Sequence, residues 1–214
     1  MDKQETANRR PISSRDNKLI VRFAAYLARR HSPTPNQISA LSVVFAALGA
    51  VSLVLFPYTH YVSLLFCILF VQLRLLCNLL DGMVAVEGGK KTAIGDLFNE
   101  FPDRLADSVL LIALGYAVNL GWLGWLAALL AAFTAYIRVF GGSLGFVQNF
   151  SGPMAKQHRM AVLSAACLCC VVEGYLWQTA YSLPVGLVII TLGSIATCIK
   201  RTFLLVQQLN QKNA

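Results

Sequence analysis

Residues Asn78–Asp107 read NLLDGMVAVEGGKKTAIGDLFNEFPDRLAD, and their reading decides the fold class. Six of the chain's ten acidic residues fall here: Asp81, Glu87, Asp96, Glu100, Asp103 and Asp107. The flanking segments are apolar enough to span lipid. A carboxylate beside hydrocarbon costs several kcal/mol unless it is paired, metal-bound or facing an aqueous cavity. Acids concentrated at such a place therefore imply cations.

The spacing sharpens this. Asn78, Asp81, Gly82 and Ala85 stand at i, i+3, i+4 and i+7, one face of a helix. After a short loop with Gly88, Gly89, Lys90 and Lys91, the series Asn99, Asp103, Asp107 recurs every fourth residue as a second polar stripe. Helices joined by so short a loop are antiparallel neighbours, so the stripes can face each other. Hard oxygen ligands converging in this way suit Mg²⁺ or Mn²⁺. The same acids are also accounted for if Arg74 and Arg104 neutralise them in a purely structural pair.

These residues carry a resemblance. The stretch resembles the signature of the CDP-alcohol phosphotransferase (phosphatidyltransferase) family: D-x-x-D-G-x-x-A-R, eight residues, then G-x-x-x-D-x-x-x-D. Asp81 and Gly82 match the second Asp and its Gly, Ala85 the Ala, Gly95 the later Gly and Asp103 the last Asp. Asn78 replaces the first Asp, Val86 the Arg and Asn99 the third Asp, with every separation kept. The pattern is similar to a divergent branch of that family, with Asn at two of the four motif Asp positions.

Composition agrees with a membrane protein. Of 214 residues, 57% are hydrophobic and only 13% charged, which excludes an ordinary soluble domain. The formal charge of +8 is distributed as membrane topology requires, not as a nucleic-acid-binding face. Apolar segments at 37–56, 61–86, 95–118, 121–146, 158–177 and 183–205 each suffice to cross a hydrocarbon core of about 30 Å. Lys and Arg concentrate in the N-terminal region, the 87–94 loop, at Lys156 and Arg159 and after Thr197; the loops near 57–60, 119–120 and 178–182 have none. By the positive-inside rule both termini and the acidic stretch are cytosolic.

The expected organisation is a flexible cytosolic tail (1–16), an interfacial amphipathic helix (17–31), a six-helix membrane domain (32–206) and a cytosolic C-terminal tail (207–214). In the second of these, Leu19, Ile20, Phe23, Ala24 and Leu27 oppose Lys18, Arg22, Tyr26 and Arg29, a pattern for an anionic membrane surface or for a solvated basic helix. Ser32-Pro33-Thr34-Pro35-Asn36 ends that helix and starts the next.

Arg74 and Asp107 each lie about 12 residues, or roughly 18 Å, from their cytosolic helix ends, so equal depth makes them a structural ion pair. Arg138, Lys156 and Arg159 either hold a phosphate group of donor or acceptor or, for the latter two, only set membrane orientation. Pro102 removes a helical hydrogen bond beside Asp103. Glu173 is assigned no role. The six cysteines lie in apolar segments as packing residues, with no C-x-x-C pair.

The resemblance implies an all-α membrane enzyme that transfers a phosphoalcohol, here a phosphatidyl, group from a CDP-linked donor to an acceptor hydroxyl and releases CMP. It implies a divalent cation (Mg²⁺ or Mn²⁺), a CDP-lipid donor such as CDP-diacylglycerol, an alcohol acceptor and a homodimer, and no nucleic acid. On it, Asp81, Asp103, Asn78 and Asn99 surround the metal, and Asp81, Gly82, Ala85 and Gly95 the nucleotide. Asp103 takes the proton from the attacking hydroxyl. A non-catalytic lipid- or nucleotide-binding relative and a small ion-coupled transporter are the alternatives. A transporter ordinarily carries internal repeats and interrupted helices, and the sequence has neither.

Overall fold

The computed structural model describes residues 18–30, 32–59, 61–87 and 95–212, without the side chains of Glu87, Asp96 and Asn99. The expected tail over 1–16 and the loop with Gly88, Gly89, Lys90 and Lys91 lie outside the described residues. Within them are eight helices and no strand: α1 (Lys18–Ala28), α2 (Pro35–Val54), α3 (Phe56–Thr59), α4 (Val62–Glu87), α5 (Gly95–Ala117), α6 (Gly121–Ser143), α7 (Lys156–Trp177) and α8 (Ser182–Lys212). The protein is all-α, with helices built for a bilayer.

Five of these helices, α2, α4, α6, α7 and α8, are long and apolar enough to cross a membrane. The sixth expected span is α5. Its 23 residues reach about 35 Å at 1.5 Å per residue, but Asp96, Glu100, Asp103, Arg104 and Asp107 make it too polar for hydropathy alone to select. At its far end, α8 continues helical to Lys212, past residue 206 where the sequence suggests a tail. Gln207–Lys212 contains neither Gly nor Pro to stop it.

The chain forms two compact units, with the boundary between Leu110 and Leu111. In the N-terminal unit, α2 begins at a capping box. The Gln37 amide donates to Thr34 Oγ1 (3.3 Å), and the Thr34 amide donates to Gln37 Oε1 (2.9 Å), so two end amides are satisfied reciprocally. Pro35 fits as the first helical residue, where no N–H is needed. From that start α2 packs along α4, with Phe45 and Phe70 stacked at 6.4 Å between centroids. Gly49 leaves room for α5, since a Cβ there would lie 3.1 Å from Leu110 Cδ2.

Helix α1 lies against α4. Its Ala24 is fully buried, and Ile20, Val21 and Leu27 pack with it on Ile38, Cys77, Leu80 and Val84. The apolar pattern read from the sequence is therefore divided between two surfaces. Ile20, Ala24 and Leu27 face protein, whereas Leu19, Phe23 and Tyr26 are exposed beside Lys18, Arg22, Arg29 and Arg30.

In the C-terminal unit, the end of α5 and the start of α6 form a tight hairpin. A Cβ on Gly115 would fall 2.7 Å from Gly124 Cα, so neither position has room for a side chain. Helix α8 packs on both α6 and α7. Their turn is fixed by Glu173, whose carboxylate accepts from Thr179 Oγ1 (2.7 Å), Tyr181 N (2.7 Å), Ser182 N (2.8 Å) and Ser182 Oγ (2.5 Å). The acid supplies the acceptor that the first amides of α8 need.

Candidate active site

Three helices of the N-terminal unit supply the acidic site. Asp81 on α4 is 6% exposed. Its Oδ2 accepts from Ser39 Oγ on α2 at 2.7 Å, and its Oδ1 from the Gly82 amide at 2.6 Å. Among the described residues, nothing apart from its chain neighbours and the backbone of its own helix lies within 4 Å of where a Gly82 Cβ would stand. The backbone beside Asp81 is therefore open to close approach, as a nucleotide or phosphate would need. Asn78, one turn earlier, has a buried Nδ2 with no acceptor among the described residues. A buried amide N–H left unsatisfied costs about 1–3 kcal/mol, which a bound anion would relieve.

On α5, Asp103 has a side chain 12% exposed, with its two oxygens each 3.8 Å from a guanidinium: Oδ1 from Arg74 Nη2 and Oδ2 from Arg104 Nη2. Arg104 also reaches Glu100 Oε2 at 3.5 Å, one turn back. Deeper, Arg74 Nη2 meets Asp107 Oδ1 at 2.5 Å, and both side chains are essentially removed from solvent. The i, i+4 stripe of α5 thus turns toward α4. Pro102, inside α5 immediately before Asp103, leaves the Phe98 carbonyl without its usual helical donor. Ala85 and Gly95 are half-buried. The Asn99 side chain lies outside the described residues.

The donor set has the chemistry of a hard-cation site. Two buried carboxylates, Asp81 and Asp103, come from neighbouring helices, with a carboxamide at Asn78. Oxygen ligands of this kind suit Mg²⁺ or Mn²⁺, which keep part of their shell for water or substrate phosphate. Among the described residues no three His, Cys, Asp or Glu side chains converge as a complete cage.

A separate basic cluster occupies the C-terminal unit. Arg138 on α6 donates to Gln148 Oε1, and its guanidinium sits 5.1 Å from the centroid of the Phe150 ring. Arg201 on α8 donates through Nε to Ser151 O (2.8 Å) and through Nη1 to Thr134 O. Arg159 Nη1 donates to Met154 O (2.9 Å) and Thr134 Oγ1 (3.3 Å). The segment between α6 and α7 is tied down at Gly152, where φ is +127° and a Cβ would stand 2.5 Å from Thr197 Cγ2. The Met154 amide donates to Thr197 Oγ1 at 2.9 Å.

Arg138 and Arg201 line one pocket with Asn149 and Gln208. Lys156 and Arg159 are not part of its lining; Lys156 is half-buried and Arg159 turns inward with 1% of its surface exposed. Arg201, which the sequence left as one more cation after Thr197, is thus the partner of Arg138. The only acid beyond residue 110 is Glu173, about 21 Å along α7 from Arg159. The hydrogen bonds described above join these arginines to neutral groups of the same unit.

Comparison with known proteins places the same stretch in context. The model of the CDP-alcohol phosphatidyltransferase family matches residues 33–200. An uncharacterized protein of Aquifex aeolicus (strain VF5) is 28% identical over 180 residues, 81% of this chain and 83% of that protein. Inner membrane protein YnbA of Escherichia coli (strain K12) is 25% identical over 144 residues, 67% of this chain and 71% of that one. The fold matches the phosphatidylinositol phosphate synthase PgsA1 of Mycobacterium tuberculosis with CDP-DAG bound. That likeness has a TM-score of 0.72 at 21% identity, over 88% of this chain and 94% of that one. The same synthase with manganese and citrate matches with a TM-score of 0.72 at 20% identity, over 87% and 88%.

Proposed function

We propose, since this chain belongs to the CDP-alcohol phosphatidyltransferase family, that its acidic site moves a phosphatidyl group from CDP-diacylglycerol to an alcohol that itself carries an anionic group. Transfer of a substituted phosphate from a CDP-linked donor, in phospholipid synthesis, is the activity of the family. The observation that supports catalysis at this site is the pair Asp81 and Asp103, buried on neighbouring helices at the family's spacing.

The chemistry divides among the residues of that site. Asp81 and Asp103, with the carboxamide oxygens of Asn78 and Asn99, would hold a divalent cation, Mg²⁺ or Mn²⁺. When bound, the cation neutralises charge on the donor diphosphate and on the departing CMP. Gly82, Ala85 and Gly95 leave the helix backbones open to the nucleotide. Asp103 accepts the proton of the acceptor hydroxyl as its oxygen attacks the phosphatidyl phosphorus. The new O–P bond forms while the P–O bond to CMP breaks, and CMP leaves with the bonding pair. Arg74, held by Asp107, keeps a positive charge 3.8 Å behind Asp103.

Arg138 and Arg201 would suit an anionic group on the acceptor, and Lys156 and Arg159, outside their pocket, would add positive charge in the same unit. A fork of N–H donors matches phosphate geometry better than a lone ammonium does. The test is CMP release from CDP-diacylglycerol in detergent, with a panel of polyols and amino alcohols, each with and without a phosphate. Turnover should need a phosphorylated alcohol, and Arg201→Leu should raise KM for it by tenfold or more, about 1.4 kcal/mol. Equal use of neutral alcohols by both proteins would sink the acceptor assignment, and no CMP release with any alcohol would favour the non-catalytic reading.

The two asparagines bear on stoichiometry. Unit like charges about 4 Å apart repel by roughly 4 kcal/mol at an effective dielectric of 20, and two dications by roughly four times that, so two dications need several carboxylates between them. With Asn78 and Asn99 in place of acids, the empty protein should hold one Mn²⁺ tightly, and a second should arrive only with the donor's diphosphate. Two equally tight cations in the empty protein would contradict this.

The distribution of Lys and Arg supports cytosolic termini and a cytosolic opening for the acidic site. Exposed Tyr58, Tyr116, Trp122, Trp177 and Tyr181 stand at helix ends beside the loops that lack cations, as an aromatic girdle at the other interface requires. The outer face of α1, with Leu19, Phe23 and Tyr26 beside four cations, suits an anionic bilayer surface. A homodimer is the family's expected state.

A further inference from the structure

We infer that Ser39 is a positioning residue, fixing the Asp81 carboxylate in the orientation that receives the cation. This rests on the reading of Asp81 as a cation ligand. Ser39 is 4% exposed and 42 residues from Asp81 in sequence, and its hydroxyl crosses from α2 to α4 at 2.7 Å. It has a cheaper choice inside its own helix, because Pro35 O lies 3.1 Å away as an acceptor. A hydroxyl has one proton. The shorter contact is to the carboxylate, and hydrogen bonds to an ionised acceptor are about twice as strong as neutral ones. Nearly one turn further, Ser42 is wholly buried on the same helix, and its hydroxyl donates to Ser39 O at 2.6 Å without leaving α2. A buried serine on α2 therefore needs no partner on α4, which leaves the orientation of Asp81 as what the Ser39 contact provides.

The geometry makes the contact effective. With the Gly82 amide on Oδ1 and Ser39 on Oδ2, both carboxylate oxygens are held and rotation about Cβ–Cγ is stopped. Hydrogen-bond partners of metal ligands typically contribute 10–100-fold to metal affinity by this kind of orientation. Ser39 touches neither substrate nor phosphorus in this scheme and acts only through Asp81.

The experiment is Mn²⁺ titration of detergent-purified full-length protein without donor, followed by the free Mn²⁺ spin-resonance signal, alongside thermal unfolding. Ser39→Ala should weaken Mn²⁺ binding 10–100-fold, Ser39→Thr should restore most of it, and Ser42→Ala should leave it unchanged. A role confined to packing would lower the melting temperature of Ser39→Ala and leave Mn²⁺ affinity alone, which overturns the inference. An equal loss in Ser42→Ala also overturns it, because the effect would then belong to α2 packing. Should Ser39→Ala not fold, Ser39→Cys, nearly isosteric with a weak donor, decides: an intermediate loss supports the role, and wild-type affinity refutes it. If the wild type binds Mn²⁺ and releases CMP while Ser39→Ala matches it, only this inference fails. If the wild type binds no Mn²⁺, the reading of Asp81 fails and this inference with it.

Discussion

Asp81→Ala and Asp103→Ala are each expected to lose CMP release by at least a hundredfold while the protein remains folded and membrane-inserted. Loss of a general base costs about 10²–10⁴ in rate, and on the proposed reading Asp103 would also share the cation with Asp81. The two substitutions should differ in how the loss divides. Asp81→Ala removes a ligand held by Ser39 and Gly82, so excess Mn²⁺ should recover part of the rate. Asp103→Asn keeps an oxygen for the cation but cannot take a proton at neutral pH, so added metal should not rescue it. Near-normal turnover of either alanine variant, with the family assay working for wild type, would remove that residue from the site.

The second large effect concerns stability. Arg74 and Asp107 are both essentially buried and meet at 2.5 Å. Removing one partner of a buried pair typically costs about 3–5 kcal/mol, whereas removing both together costs far less. Arg74→Leu and Asp107→Leu should therefore each lower the melting temperature in detergent by roughly 10 °C, and the double variant should recover much of that. Strictly additive losses would show that the pair is not coupled. Because Arg74 also stands 3.8 Å from Asp103, Arg74→Leu should reduce turnover more than Asp107→Leu at equal residual stability. Equal turnover in the two would detach Arg74 from the acidic site.

Much of the architecture was legible because lipid imposes a one-dimensional code. Backbone polar groups must be satisfied within each segment, so a long apolar run in this composition reads as a spanning helix. The i, i+4 series through Asp103 and Asp107 likewise fixes one face of α5, since helical periodicity converts spacing directly into direction. Arg74 opposite Asp107 follows from depth counted along two antiparallel helices. Where the code weakens, the reading does too: the charges of α5 hide it from hydropathy, and the apolar residues of α1 are shared between protein and a second exposed face.

What only the tertiary structure decided are contacts between segments far apart in the chain. Ser39 sits on a helix whose polar pattern carries no sign of Asp81, because a serine in an apolar span most often bonds back to its own helix, as Ser42 does. Arg201 reads from sequence as one more orienting cation, yet it shares Thr134 with Arg159 and a pocket with Arg138. Glu173 looks like a residue at the membrane edge, and its four hydrogen bonds into the turn and the start of α8 appear only when α7 and α8 fold against each other. The sequence alone determines which faces are polar and how deep they lie, because those properties are periodic within a helix. Which polar groups meet depends on helix packing, which is set by steric fit at places such as Gly49 and Gly124 and leaves no periodic trace.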